Sequence, residues 1–221
     1  LQEEDGGIRA GVESYRHPWG FYFADEDPIP YWTFSADAEH TARFAGIFAQ
    51  AARVVAPFSQ EISDRLAQRA QRAYDYAYGL GLRSTGDSDG KEQGEMIYAE
   101  SQLFNLKGEA VMGQRFEEAW DAWNIWGGGL LDTTWRYLPH PLMNSANLTD
   151  YLLGYLQSAN ANVEIYDYAF GRLTALANDS VDSIQTKNAF RNGRGGAAGW
   201  GKGVAVGEWV MPVYARLQLG N

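Results

Sequence analysis

From Ser35 onward, apolar residues recur at three- and four-residue steps, and the runs end in glycine or proline. That spacing lines up one face of an α-helix, whereas a half-buried strand would alternate at every second residue. Ser35 or Asp37 can cap a first helix with Thr41, Phe44, Ala45, Phe48, Ala51, Ala52 and Val55 on its apolar face and Pro57 at its end. Ser59 caps a second helix that faces Ile62, Leu66, Ala70, Ala73, Tyr74 and Ala77 inward and stops at Gly79 and Gly81. A third is expected over about 92–106, before Gly108, and a fourth from about Met112 through Phe116, Ala119, Trp120 and Trp123 to the triple glycine 127–129. A fifth follows Asn147 or Thr149 through Leu152, Tyr155 and Leu156; a sixth covers about 162–176, and a last covers about 203–219. Three of these runs close on apolar residues followed by glycine and a polar residue, around Gly81, Gly108 and Gly220. A repeated αα-hairpin follows from such endings. No βαβ alternation occurs. The expected fold is all-α, with hairpins stacked into a toroid as one domain over 1–221. Long aromatic loops between hairpins fit a toroid better than an up-down bundle.

Residues 1–35 have no helical pattern. Asp5-Gly6-Gly7 is a turn signal, Pro18, Pro28 and Pro30 interrupt short extended pieces, and eight aromatic residues lie between Tyr15 and Phe34. The formal net charge is -10 with no clustered lysine or arginine, so a nucleic-acid partner is not expected. With no cysteine, disulfides and thiolate metal sites are excluded. The most apolar run, 44–58, is interrupted by Gln50 and Arg53 and is too short to span a membrane. The sequence starts at Leu1 and not at Met, with no basic-then-apolar run at its start, and the expectation is an N-terminus made by processing or trimming.

Sugars present flat apolar faces, so aromatic side chains in loops are the strongest functional signal here. Trp19, Trp32, Trp126, Trp135 and Trp200 lie in or beside loops or helix starts and are candidate platforms; Trp120, Trp123 and Trp209 fall within helices and are read as core. His17 and Arg194 are candidate hydroxyl ligands, His17 in the first aromatic loop and Arg194 in the glycine-rich run 193–199. That run lacks the order of a phosphate loop. His40 and His140 read as a helix-surface and a turn residue. Asp132, just after the triple glycine, and Glu208, at the start of the last helix, are the internal carboxylates to test for catalysis. Clustered oxygens at Asp25-Glu26-Asp27 could hold calcium, but a solvated acidic turn is the simpler reading, and no cofactor is expected.

Several segments together resemble the family 9 glycoside hydrolases. Asp5-Gly6-Gly7-Ile8, after Leu1-Gln2, is similar to the family's Q-x-x-DGG-V segment. The run from Ala38 to Val54 is similar to its TA-x-FAA-x-AQAARV helix, with Ala56-Pro57-Phe58 following as KPYD does. Ala99 to Phe104 with Gly108-Glu109 resembles A-x-AELY-x-ATGD, and Trp200-Gly201 before a helix closing in Leu-Gly-Asn resembles the family's WG helix. The resemblance implies an (α/α)6 barrel, secretion, and inverting hydrolysis of β-linked glucan by an Asp base and a Glu acid, spaced to admit a water. The family's DAGD and NE motifs, which carry those carboxylates, do not occur here in matching context, so the remaining part of such a catalytic domain is an expected partner. Two other classes stay open. One is another (α/α)-barrel sugar enzyme, such as an unsaturated-uronide hydrolase or epimerase, with internal catalytic groups; the other is a non-catalytic carbohydrate-binding protein.

Overall fold

A computed structural model describes residues 2–15, 23, 25–85, 90–125, 152–182, 214 and 218–219. Among the described residues five helices carry the architecture: α1 (Ala38–Val55), α2 (Gln60–Gly79), α3 (Gly90–Lys107), α4 (Ala110–Ile125) and α5 (Val163–Asp182). A further helical turn covers 152–156. Two short strands precede them, β1 (Val12–Ser14) and β2 (Tyr31–Thr33), paired antiparallel. Caps fall where the sequence places them: Asp37 accepts from the His40 backbone N–H at 2.8 Å and Ser59 from that of Ile62 at 3.3 Å. Each satisfies one of the orphan donors at a helix start. α5 runs to Asp182, six residues past the expected end, because no glycine or proline interrupts 172–182.

The buried face of α1 matches the expected one at Thr41, Ala45 and Ala52 but is shifted away from the large side chains. Thr41, Ala42, Ala45, Gly46, Ala49 and Ala52 are buried, whereas Phe44, Phe48 and Val55 are only half-buried. Large side chains would hold α1 away from its neighbours; a stripe of small ones lets it lie against both α2 and α3. Gly46 shows how closely, since a Cβ there would collide with the Tyr98 ring of α3. In α2 the inward set is Ser63, Ala70, Ala73, Tyr74 and Ala77, and Ile62 is exposed because the Ser63 hydroxyl turns in to the Ala52 carbonyl at 2.9 Å.

α3 is the axis of the described core. Gly94 to Phe104 are all buried or nearly so, so this helix has no solvent face along that stretch. An apolar cluster then continues from α3 through Met112, Phe116 and Ala119 of α4 to Leu152, Tyr155 and Leu156, and to Ala169 and Leu173 of α5. At its centre Tyr155 is stacked between Phe116, at 4.3 Å, and Phe104, at 5.4 Å between ring centroids. Gly113 leaves room for the Phe104 ring, which a Cβ would meet at 2.6 Å.

The N-terminal segment docks on α1 and α2 through its double glycine. Gly6 has φ +103, which L side chains avoid, and a Cβ there would collide with the Arg72 carbonyl oxygen of α2. A Cβ on Gly7 would meet the Tyr76 ring at 2.9 Å. Asp5 accepts from the Gly7 N–H at 3.0 Å, the Ile8 N–H donates to the Thr41 hydroxyl at 2.9 Å, and the Gln2 amide donates to the Arg69 carbonyl at 2.9 Å. Gly6→Ala is therefore expected to cost about 1–3 kcal/mol, from backbone strain and the lost seat together. Gly11 also has positive φ, +70, but nothing lies within 4 Å of a Cβ there, so Gly11→Ala should cost only about 1–2 kcal/mol. Thermal unfolding of the two variants checks this: equal losses would show that the Arg72 contact contributes nothing.

Candidate functional site

The two strands make a ribbon that leaves its aromatic side chains in solvent. Register pairs Val12 with Thr33, Glu13 with Trp32 and Ser14 with Tyr31. Directly opposed residues share a face, and residues two apart on one strand share it too. Glu13 and Trp32 therefore lie on one face, with Tyr15 just beyond β1 on the same side. The Tyr15 and Trp32 rings meet edge to face, 6.0 Å apart at 78°. Tyr15 is 73% and Trp32 43% exposed, and Phe23, Tyr31 and Phe34 are exposed as well. Isolated apolar residues on a surface need no explanation, but an exposed aromatic pair in ring contact, on a ribbon with three more exposed aromatics in or near it, is a feature of the kind that binds partners or ligands.

Local bonds stiffen the loop that leads into β2. Asp27 accepts from the Tyr31 hydroxyl and, at 3.0 Å, from the Ile29 N–H. Both bonds favour the charged carboxylate, the tyrosine first, and hold Asp27 below the usual carboxylate range; the Tyr31 hydroxyl is held above its ordinary value by the same bond. Asp25 and Glu26 are exposed, and among the described residues no group of three or more His, Asp or Glu is placed to hold a metal ion.

A second polar constellation lies inside the helical body, on α3, and sequence reading missed it. Glu100 is 1% exposed. Its Oε1 accepts from the Tyr74 hydroxyl of α2 at 3.0 Å, and that hydroxyl accepts from Arg115 Nη1 of α4 at 2.6 Å. The Arg115 guanidinium in turn lies 4.4 Å from the centroid of the Tyr78 ring. Glu100 Oε2 is buried without a hydrogen bond of acceptable geometry, although Ser84 lies close enough to favour its charged form. Burial dominates and pushes the Glu100 carboxyl up to about 7, against the opposing pull of Ser84, Tyr74 and Arg115. A carboxyl near 7 has the acidity of a general acid. Glu100, however, is enclosed by α2, α3 and α4 and can touch no substrate, so the structure makes it a core group. The one sequence signal was a helix whose apolar residues follow no clean stripe.

Other polar contacts, part-buried or exposed, tie α1 to α3 and to Gln157. Arg43 pairs with Glu95 at 3.2 Å and lies 4.8 Å over the Tyr98 ring, while Arg53 donates to Gln102 and to Gln157. His40, expected at the helix surface, contacts its own cap, Asp37, at 2.9 Å.

Of the sequence-derived site residues, Trp32 is described, and it sits at the centre of the aromatic ribbon. His17, Trp19, Trp126, Asp132, Trp135, Arg194, Trp200 and Glu208 lie outside the described residues. Trp120 and Trp123 fall within α4. Among the described residues no helix is long and apolar enough to cross a membrane.

No protein-family model matches the sequence, and no curated protein does. Solved structures do. A family 9 endoglucanase, J30, superposes with TM-score 0.78 at 19% identity, over 99% of this chain and 40% of that one. A single-mutant thermostable endoglucanase from Alicyclobacillus acidocaldarius gives 0.77 at 19% identity, over 99% and 41%. A family 9 glycoside hydrolase from Bacteroides ovatus gives 0.70 at 19% identity, over 100% and 42%. AaCel9A, with TM-score 0.76, was solved in complex with a cellobiose-like isofagomine. The chain thus shares the fold of part of the family 9 endoglucanases' (α/α)6 barrel of helical hairpins. It spans about two fifths of the length of these neighbours.

Proposed function

We propose that this chain is part of a secreted glycoside hydrolase that acts on β-linked glucan, and that it contributes scaffold and a sugar-holding surface. The observation that carries this reading is the exposed Tyr15–Trp32 pair, standing on a fold shared with endoglucanases. An indole or phenol ring stacks on the apolar face of a pyranose, and polar neighbours take its hydroxyls. Inverting hydrolysis needs an Asp to activate water and a Glu to protonate the leaving oxygen, about 6.5–9.5 Å apart. Glu100, the described carboxyl with the acidity for proton transfer, is sealed in the core. This reading assigns the Asp and the Glu to the part of such a catalytic domain that these 221 residues do not span, with Asp132 and Glu208 as the internal carboxylates to test against it.

Calorimetry with cellotetraose and a reducing-sugar assay on the isolated chain test this directly. Binding without hydrolysis is the expected result. Trp32→Ala should weaken binding about tenfold, the equivalent of about 1.4 kcal/mol. Hydrolysis by the isolated chain would overturn the placement of the carboxylates. Unchanged affinity after Trp32→Ala would remove the ribbon from the site.

A further inference from the structure

The aromatic face of the ribbon is also a charged one. Glu13 stands directly across from Trp32, and Tyr15 is two residues farther along the same face. The Cβ atoms of such an opposed pair stand about 5 Å apart, which sets Glu13 next to Trp32 on that face. Glu13 is exposed, and no described side chain pairs with it. The described cation nearest in sequence, Arg9, is committed elsewhere: it donates to Glu3 at 2.6 Å and to the Thr33 hydroxyl at 3.0 Å. Segment 1–35 holds seven acidic and two basic residues, half of the chain's net charge of -10. Stacking explains affinity for a pyranose but not why the platform is set in a negative field.

Resting on the reading above, we propose that the Glu13–Tyr15–Trp32 face prefers a pyranose chain carrying free amino groups over a neutral one and repels uronate chains, with Glu13 as the residue that sets the preference. The indole face attracts an ammonium through its quadrupole. A carboxylate beside it supplies a charge-assisted acceptor. A uronate carboxylate in the same place meets like charge at Glu13. Both aromatic rings remain available to any pyranose, so charge tunes selection within a general sugar platform.

Calorimetry separates the two layers. The ligands are a β-1,4-linked glucosamine tetramer, cellotetraose and a tetragalacturonate, at about pH 6, where a primary amine carries its proton. At low ionic strength the amino tetramer should bind about tenfold tighter than cellotetraose, and the ratio should fall as salt shortens the screening length below about 10 Å. Glu13→Gln should bring that ratio close to one. A ratio near one in the parent chain, or a ratio untouched by Glu13→Gln, overturns this proposal while leaving the glucan reading intact. Failure of all three tetramers to bind overturns both. Tetragalacturonate binding as tight as cellotetraose would also overturn the selection.

Discussion

Glu100→Gln is expected to flatten the pH dependence of stability and to make the protein more stable than the parent at pH 8. The folded carboxyl titrates at about 7, against 4.5 for an ordinary glutamate in water, because burial between α2, α3 and α4 disfavours its charge. A carboxyl whose folded value is raised favours the folded state while protonated. Its contribution is fully present below about pH 4.5 and is lost as pH rises through about 7, and the shift is worth about 3 kcal/mol. Glutamine keeps an acceptor for the Tyr74 hydroxyl but cannot ionise. Denaturant unfolding between pH 4 and 8 should show the parent losing stability across this window and the variant holding nearly constant. A variant that tracks the parent's pH profile would show that Glu100 does not titrate in the core. Tyr74 supports the sign, since burial and the neighbouring Glu100 hold its phenol far above its ordinary value and it stays a neutral donor to the carboxyl.

Phe116→Ala is expected to cost about 3–5 kcal/mol. Phe116 is fully buried, lies 4.3 Å from Tyr155 with their planes 13° apart, and joins α4 to the 152–156 turn. Removing the ring takes away its burial and leaves a void beside Tyr155, whose own position is constrained: its hydroxyl donates to Glu117 at 2.5 Å and accepts from the Asn162 N–H at 2.8 Å. Those bonds oppose collapse of the void, which puts the cost toward the upper end. For a chain of this size the melting temperature should fall on the order of 10 °C. A fall of only a few degrees would show that the core closes around the void and that the Tyr155 bonds do not hold it open.

The helical class was legible because it depends on local spacing. The Asp37 and Ser59 caps, the Gly79–Gly81 stop and the Gly108 ending each depend on a few neighbouring residues, and the helices begin and end at or near them. The faces were less legible. On α1, Thr41, Ala45 and Ala52 are buried as expected, but Phe44 and Phe48, core by hydrophobicity, are only half-buried, while Ala42, Gly46 and Ala49 are buried. Hydrophobicity measures what gains from leaving water; it does not measure how near another helix must come. The candidate site was legible only as a property of composition. Aromatic density before Ser35 pointed to Trp32, but its pairing with Glu13 depends on register, and register follows from where the chain between the strands turns back.

By itself, then, the sequence determined helices, caps, breakers and an aromatic acidic N-terminal segment, all set by interactions within a few residues. The tertiary structure alone decided that α3 is buried around its whole circumference from Gly94 to Phe104, that its Glu100 meets Tyr74 and Arg115 from two other helices, and that the double glycine at 6–7 seats against Arg72 and Tyr76. The physical reason is the same in each case. A carboxyl's acidity, a glycine's necessity and a helix's inward face depend on atoms dozens of residues away in the chain, and no local pattern records which of them will arrive.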